Sequence, residues 1–288
     1  MEDDLLRARI DCIPCLIRQT LEVTKLATND KNLHESILRD VIKTTLNLDW
    51  HQSQLILACS MFKVVYDRTK VIDPYENIKR QCNDIALSLY PELQRIVQTS
   101  KDPLNTAIRL SIAGNIIDYG VGREFDIEKT LEHVLKSDFA INHYEKFKEK
   151  IQNAEKILIL GDNSGEIVFD KLLIEVLGKK QVTYMVRGYP FLNDATIKDA
   201  KYVGMNEIAE VVEFKICDEG NGIELEEMDN FFSNFDVIIS KGQGNFELFS
   251  SRKNIFFMFM IKCKVISEIL NAPIDLPVLL YTENEGFI

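Results

Sequence analysis

Residues 156–178 read KILILGDNSGEIVFDKLLIEVLG. The branched apolar run at 157–160 is the composition of a fully buried strand. The polar turn Gly161-Asp162-Asn163-Ser164-Gly165 follows, and residues 167–177 then repeat their apolar members at helical spacing. A strand thus delivers a carboxylate, an amide and a hydroxyl to the mouth of a helix. In open α/β sheets ligands bind just beyond the carboxyl ends of the strands, where helix N-termini attract anions. The expectation is that a metal ion and a phosphate meet at this turn.

Working outward, residues 151–288 alternate strand, loop and helix, the signature of a mostly parallel sheet with helices on both faces. Strands are expected at 157–160, 182–186, 210–214, 237–240 and 255–260, with a weaker one at 278–281. Three of them end in unusual polar loops: GDNSGE, RGYPFLND and KGQGNFE. Such loops converge on one rim of a parallel sheet.

Asp162 and Asn163 offer oxygen ligands for a hard or borderline divalent cation, and a capped turn accounts for them equally well. Asp194 can add a carboxylate; on spacing alone a helix N-cap is the better account. Lys241 ends the fourth strand, with Gly242 and Gly244 leaving backbone N–H groups open to an anion. It reads as a phosphate clamp or a solvated charge, and Asn245 and Glu247 as groups that can orient a ligand hydroxyl. Neither a P-loop nor a complete G-x-G-x-x-G is present, so nucleotide binding by those routes is disfavoured. The acidic run at 219–229 reads as a solvated loop, and Phe256, Phe257, Phe259 and Met260 as core.

Residues 1–150 read as an all-helical domain, with helices expected at 5–27, 33–47, 52–67, 75–90 and 104–119. Pro14, Pro74, Pro91 and Pro103 fall near their starts or ends. Cys12-Ile13-Pro14-Cys15 can be a redox couple at a helix start, or half of a zinc site with Cys82 as third ligand and His34 or His51 as fourth. Buried packing thiols are the plain alternative. Asn115 and Asp118 share one face of their helix beside Gly114, as a site pair or as an ordinary polar face.

The chain has 288 residues and a net charge of −11, which opposes binding to nucleic acid. No segment is long enough to span a bilayer, so no membrane partner is expected. The opening MEDDLLRARIDCIPC lacks the apolar stretch of a signal peptide, and the cytoplasm is the expected location. Six cysteines spread over this length do not make a secreted disulfide scaffold.

Taken together, the DNSGE turn, the stretch Arg187, Pro190, Asn193-Asp194-Ala195-Thr196 and the loop Lys241-Gly242-Gln243-Gly244-Asn245 resemble the DUF89 family of metal-dependent damage-control phosphatases. The likeness extends to Cys12, Cys15 and Cys82 and to Gly114-Asn115, a pattern similar to the microbial, archaeal-type subfamily. It implies a helical domain set against a three-layer α/β/α domain, with the site at their junction. It implies a divalent metal (manganese, cobalt, nickel or magnesium) on Asp162, Asn163 and Asp194. It further implies that Ser164, Gly165, Glu166, Arg187 and the loop Lys241 to Asn245, with Gln243, frame a small phosphorylated metabolite. Lys262 would contact phosphate, and Asn115 and Asp118 would face the site. In the eukaryotic subfamily the lysine matching Lys262 closes an R-T-x-K motif; here Phe259-Met260-Ile261-Lys262 lacks the arginine and threonine, which bears on substrate identity.

The expected activity is hydrolysis of small phosphomonoesters, sugar phosphates or damaged phosphometabolites. Protein carboxyl methylation is the rival within the family, but it needs an S-adenosylmethionine site, and the first turn carries metal-type ligands while Arg187 ends the next strand. A non-catalytic metal or phosphometabolite sensor is the second rival.

Overall fold

Alternation along the strands decides the layering. In β2 (Lys156–Leu160), Ile157 and Ile159 enter one hydrophobic core, and Leu158 and Leu160 enter another on the opposite face. A sheet buried on both faces needs helices on both sides. The computed structural model describes residues 6–116, 127–215, 217, 222–283 and 287.

The other strands are β1 (Ile141–Asn142), β3 (Gln181–Arg187), β4 (Glu210–Phe214), β5 (Val237–Lys241), β6 (Ile255–Met260) and β7 (Pro277–Tyr281). Among the described residues they form one seven-stranded sheet, ordered β1-β7-β6-β5-β2-β3-β4. Every pairing is parallel except β6 with β7. The chain runs outward from β2 through β3 to β4, then returns to β5 on the other side of β2. The carboxyl ends of β2 and β5 therefore flank the topological switch point, where open sheets leave a crevice.

Before β1 come helices α1 (Cys12–Ala27), α2 (Lys31–Asn47), α3 (Gln54–Thr69), α4 (Glu76–Thr99), α5 (Pro103–Ala113) and α6 (Ile127–Lys136). Those after it are α7 (Tyr144–Asn153), α8 (Glu166–Leu177), α9 (Ile197–Tyr202), α10 (Met228–Phe232), α11 (Gln243–Phe249) and α12 (Lys264–Leu270). The fold class is the expected one: a three-layer α/β/α assembly with a mostly parallel sheet, preceded by helices. Yet packing crosses the change of texture near residue 150. Cys82, Ala86, Leu93, Ile108 and Ile112 of α4 and α5 share one core with Ile157, Phe169 and Leu173. With α4 and α5 on one side of α8 and the sheet on the other, α8 is apolar on nearly every face. Helices α1 to α3 keep a separate core (Leu16, Val41, Leu57, Phe62, Val65), into which Phe191 inserts from the loop after β3. The Phe62 and Phe191 rings lie 5.3 Å apart.

Two local expectations are corrected, and one covalent link is new. Pro91 does not end α4, which continues to Thr99 because Leu93 and Val97 bury on the core side, and that packing outweighs the lost N–H. Helix α5 stops at Ala113 and passes into a 3-10 turn, Gly114–Ile116, so it does not reach 119 as a continuous helix. Cys59 of α3 and Cys217 beyond β4 form a disulfide across 158 residues of chain, a pairing their positions in the sequence did not announce. No described helix is long and apolar enough to cross a membrane.

Gly161, which follows β2, sits hard against a core side chain. A Cβ there would lie 2.6 Å from the Tyr184 hydroxyl and 2.6 Å from its ring. Tyr184 is fully buried and bonded to Asp170 at 2.7 Å, so it has no room to retreat. Gly161→Ala is expected to cost about 1–3 kcal/mol in urea unfolding. Gly244→Ala, whose Cβ would meet nothing within 4 Å, is expected to be neutral or stabilising.

Candidate functional site

At the switch point, the turn after β2 and the loop after β3 are stitched together. Asn163 and Asp194 form an isolated antiparallel bridge. The Ala195 N–H donates to the Asp162 carbonyl at 2.7 Å, and the Ser164 N–H to that of Asn193 at 2.9 Å. This pairing sets the Asp162 and Asp194 carboxylates side by side. Gly242, at the end of β5, closes against the first of them: a Cβ there would stand 2.0 Å from Asp162 Oδ2, and its φ of +81° is a glycine conformation.

Asp162 Oδ2 accepts from the Asn163 amide at 2.9 Å and from the Asn115 amide at 3.4 Å; Asn163 in turn donates to Asn115 Oδ1 at 3.2 Å. Burial, with the neighbouring Asp194 and Glu166 charges, pushes the Asp162 carboxyl well above the ordinary range, against the opposing pull of Lys262 and Arg187. Arg187 Nε holds Asp194 Oδ2 at 2.5 Å, its Nη2 reaches Asn245 Oδ1 at 2.9 Å, and its guanidinium lies over the Phe214 ring. Around the two carboxylates, four buried atoms have no protein partner: Ser164 Oγ, Glu166 Oε2, Arg187 Nη1 and Asn193 Nδ2. Buried polar atoms are seldom left unpaired without a ligand or water.

This donor set fits a hard divalent cation, which takes carboxylate and amide oxygens and retains waters. Among the described residues no three His, Cys, Asp or Glu side chains are arranged to enclose a metal. Asp162, Asn163 and Asp194, which the sequence placed on two separate loops, come together at the Asn163–Asp194 bridge. A cavity of about 460 Å³ lined by Asp236, Ile238 and Arg252, among others, sits at the start of β5, on the opposite rim from these carboxylates.

The lysine loop departs from expectation. Lys241 is fully buried, and its Nζ donates to Glu166 Oε1 at 2.5 Å, Asp170 Oδ1 at 2.7 Å and the Ser111 carbonyl at 3.1 Å. An ammonium has three N–H groups, so direct phosphate contact by Lys241 is not what this geometry offers. Burial disfavours its charge, but the Asp170 and Glu166 carboxylates outweigh that and hold it above the usual lysine value. Glu166, expected to frame phosphate, is raised to about 7 by burial despite Lys241. Asn245 is likewise structural, donating to the Gly161 and Lys241 carbonyls at 3.0 and 2.8 Å. Gln243 turns aside to Glu247 and Cys263, while Gly244 is exposed. Lys262 approaches closely enough for its charge to lower both Asp162 and Glu166, and its N–H donates to Gln243 Oε1.

Asp118 lies outside the described residues. The three cysteines do not assemble: Cys82 sits in the core shared by α4 and the sheet, whereas Cys12 opens α1 near Cys15, Cys263 and Glu247. His34 is bonded to the Thr28 carbonyl and His51 is exposed, so neither completes a zinc site with them. For Cys82 the plain reading of a buried packing thiol is what the fold shows, in the core that α4 shares with the sheet.

Sequence reasoning missed Asn83, Asp170, Asn193 and Asp199. Asn83 accepts from the Gly165 N–H at 2.7 Å and donates to Asp199 at 3.0 Å. Its signal was a polar residue at position i+4 of the buried face formed by Lys79, Cys82 and Ala86.

The comparisons agree with this architecture. The profile described as Damage-control phosphatase ARMT1-like domain matches residues 8–275. An uncharacterized protein of Methanocaldococcus jannaschii is 32% identical over 290 residues, covering 94% of each chain. A damage-control phosphatase of Archaeoglobus fulgidus is 32% identical over 89% of this chain and 92% of its own. A crystal structure of a DUF89 family protein from Pyrococcus horikoshii superposes with a TM-score of 0.84 at 27% identity, over 96% of this chain and 99% of that one.

Two stability measurements check the site's electrostatics. Lys241→Met strands two buried carboxylates and is expected to cost about 3–5 kcal/mol in guanidinium unfolding, where a phosphate-contacting surface lysine would cost little. Glu247 is raised to about 7 by burial, partly offset by the Gln243 amide. Between the unfolded value near 4.5 and 7 the folded chain keeps a proton the unfolded one has lost, so this group lowers stability as pH rises through that window. Glu247→Gln should remove that slope and stabilise the protein at pH 8 by up to about 3 kcal/mol.

Proposed function

The chain belongs to the damage-control phosphatase ARMT1-like family, and on that premise we propose that it hydrolyses small phosphomonoesters in a reaction that depends on a divalent cation. The observation that carries this reading is the paired carboxylates of Asp162 and Asp194 ringed by unpartnered Ser164 Oγ, Arg187 Nη1 and Asn193 Nδ2. Carboxylates alone would repel a phosphate; with a cation between, the same cluster attracts one. Manganese, cobalt, nickel and magnesium all suit oxygen donors of this kind.

Asp162, Asn163 and Asp194 would hold the cation, with Asn115 and Arg187 fixing the two carboxylates in place. When bound, the cation supplies Lewis-acid polarisation of the phosphoryl group. The chain's own donors do the rest. Arg187 Nη1, Ser164 Oγ and Asn193 Nδ2, which have no partner in the protein, would bond phosphoryl oxygens, where preorganised donors stabilise charge developing in the transition state. Lys262 adds a positive charge, and the amino end of α8 adds its dipole. Phe191 anchors the loop after β3 in the core of α1 to α3. Asp162 Oδ2 is pinned by two amides and packed against Gly242, which suits a fixed ligand and leaves water as the nucleophile. A sugar phosphate or a damaged phosphometabolite is the proposed substrate class.

Metal-stripped protein supplied with each of the four cations should release inorganic phosphate from a panel of sugar phosphates. Asp162→Ala should lower turnover by at least about a hundredfold. Phosphate release without any cation, or full activity in Asp162→Ala, sinks the reading.

A further inference from the structure

Asp162 and Asp194 lie on separate loops, and the distance between their carboxylates decides whether one ion can engage both. Direct backbone bonds join the loops, from the Ala195 N–H to the Asp162 carbonyl and from the Ser164 N–H to the Asn193 carbonyl, on either side of the Asn163–Asp194 bridge. Just beyond that pairing the chains diverge into α8 and α9, and there a third element braces them. Asn83, 1% exposed on α4, accepts from the Gly165 N–H at 2.7 Å, three residues past Asp162. Its amide donates at 3.0 Å to Asp199 Oδ1, and Asp199 Oδ2 accepts from the Thr196 N–H at 2.9 Å and its hydroxyl at 2.8 Å, two residues past Asp194.

We propose that Asn83 is a positioning residue for the cation site: a rigid strut from α4 that sets the separation of the two ligand-bearing loops. The inference rests on the metal-dependent reading above. The amide has one workable orientation. Flipped, its NH2 would face the Gly165 N–H and its oxygen would face the Asp199 carboxylate, both repulsive. Neither partner has a substitute in the fold: the Gly165 N–H stands at the buried mouth of α8, and Asp199 closes the capping box that starts α9. A packing residue needs only volume at this position. A strut needs an acceptor toward Gly165 and a donor toward Asp199 at the same time. Helix α4 also packs on both α8 and α9, so it forms a common base for the two loops.

The hydrogen-bond pattern can be reversed without changing shape. Asn83→Asp keeps the acceptor for Gly165 but sets a carboxylate against Asp199. Asp199→Asn alone turns its NH2 onto the Thr196 N–H. Together, Asn83→Asp with Asp199→Asn restores every bond, because the new amide donates to the new carboxylate and still accepts from Thr196.

Mn2+ binding to metal-stripped protein, followed by the electron paramagnetic resonance signal of the free ion, reads this without any need for turnover. Each single variant is expected to weaken Mn2+ binding by about 10- to 100-fold, as loss of an outer partner does, and the double variant to return to within about threefold of the unsubstituted chain. Singles that bind Mn2+ normally, or a double variant no better than the weaker single, overturn the proposal. Should Asn83→Asp fail to fold, Asp199→Asn against the double variant carries the same comparison. Mn2+ binding without phosphate release would sink the phosphatase reading and leave the strut intact; no Mn2+ binding by the unsubstituted chain would overturn both.

Discussion

The buried ammonium of Lys241 is the contact on which this molecule turns. It sits at the end of β5 with no access to solvent, bonded to Glu166 and Asp170 of α8 and to the Ser111 carbonyl of α5. One side chain thereby joins the sheet to the helix behind the candidate site and to the helix beyond that. Desolvating an ammonium and two carboxylates is expensive, and only close pairing with full hydrogen bonding offsets it. Ser111 and Tyr184 also donate to Asp170, at 2.6 and 2.7 Å, so both oxygens of that carboxylate are bonded. Glu166 keeps one oxygen without a partner, and its charge is felt by Asp162. The network is closed at the back and open at the front.

That asymmetry shapes the chemistry at the switch point. Behind the turn after β2, charge is neutralised within the protein. In front of it, two carboxylates stand beside unpaired donors, and the protein alone does not satisfy them. Arg187 and Asn245 belong to the supporting structure as much as to the site: the guanidinium fixes Asp194, and the amide ties Arg187 to the carbonyls of Gly161 and Lys241. Rigid supports of this kind hold a site to the tolerance that phosphoryl transfer requires.

Much of the fold was legible because buried strands and polar loops differ sharply in composition. β4 and β6 fall where the apolar runs predicted them, and β2, β3, β5 and β7 differ by a residue or two at their ends. β1 was not visible: two residues carry no periodicity, and they form a strand only because β7 lies alongside. Asp162, Asn163, Ser164, Arg187 and Asp194 were found by their positions after strands and they converge. Lys241 and Asn245 were found by the same reasoning and proved to face inward, since a sequence does not say which way the side chain ending a strand will turn.

The sequence by itself determined the layers, the rim where polar loops gather and the kind of chemistry their side chains suit, because each follows from local periodicity and residue type. Tertiary structure decided which of those side chains are tied up and which are left open. Lys241 became a structural ion because two carboxylates one helical turn apart on α8 reach it first. Asn83, eighty residues before the turn it braces, entered the site because α4 packs on α8 and α9. Cys82 was drawn away from Cys12 and Cys15 by the core that α4 shares with the sheet. The turn after β2 reads as a site from its letters, but its vacant donors exist only because the surrounding partners are already spoken for.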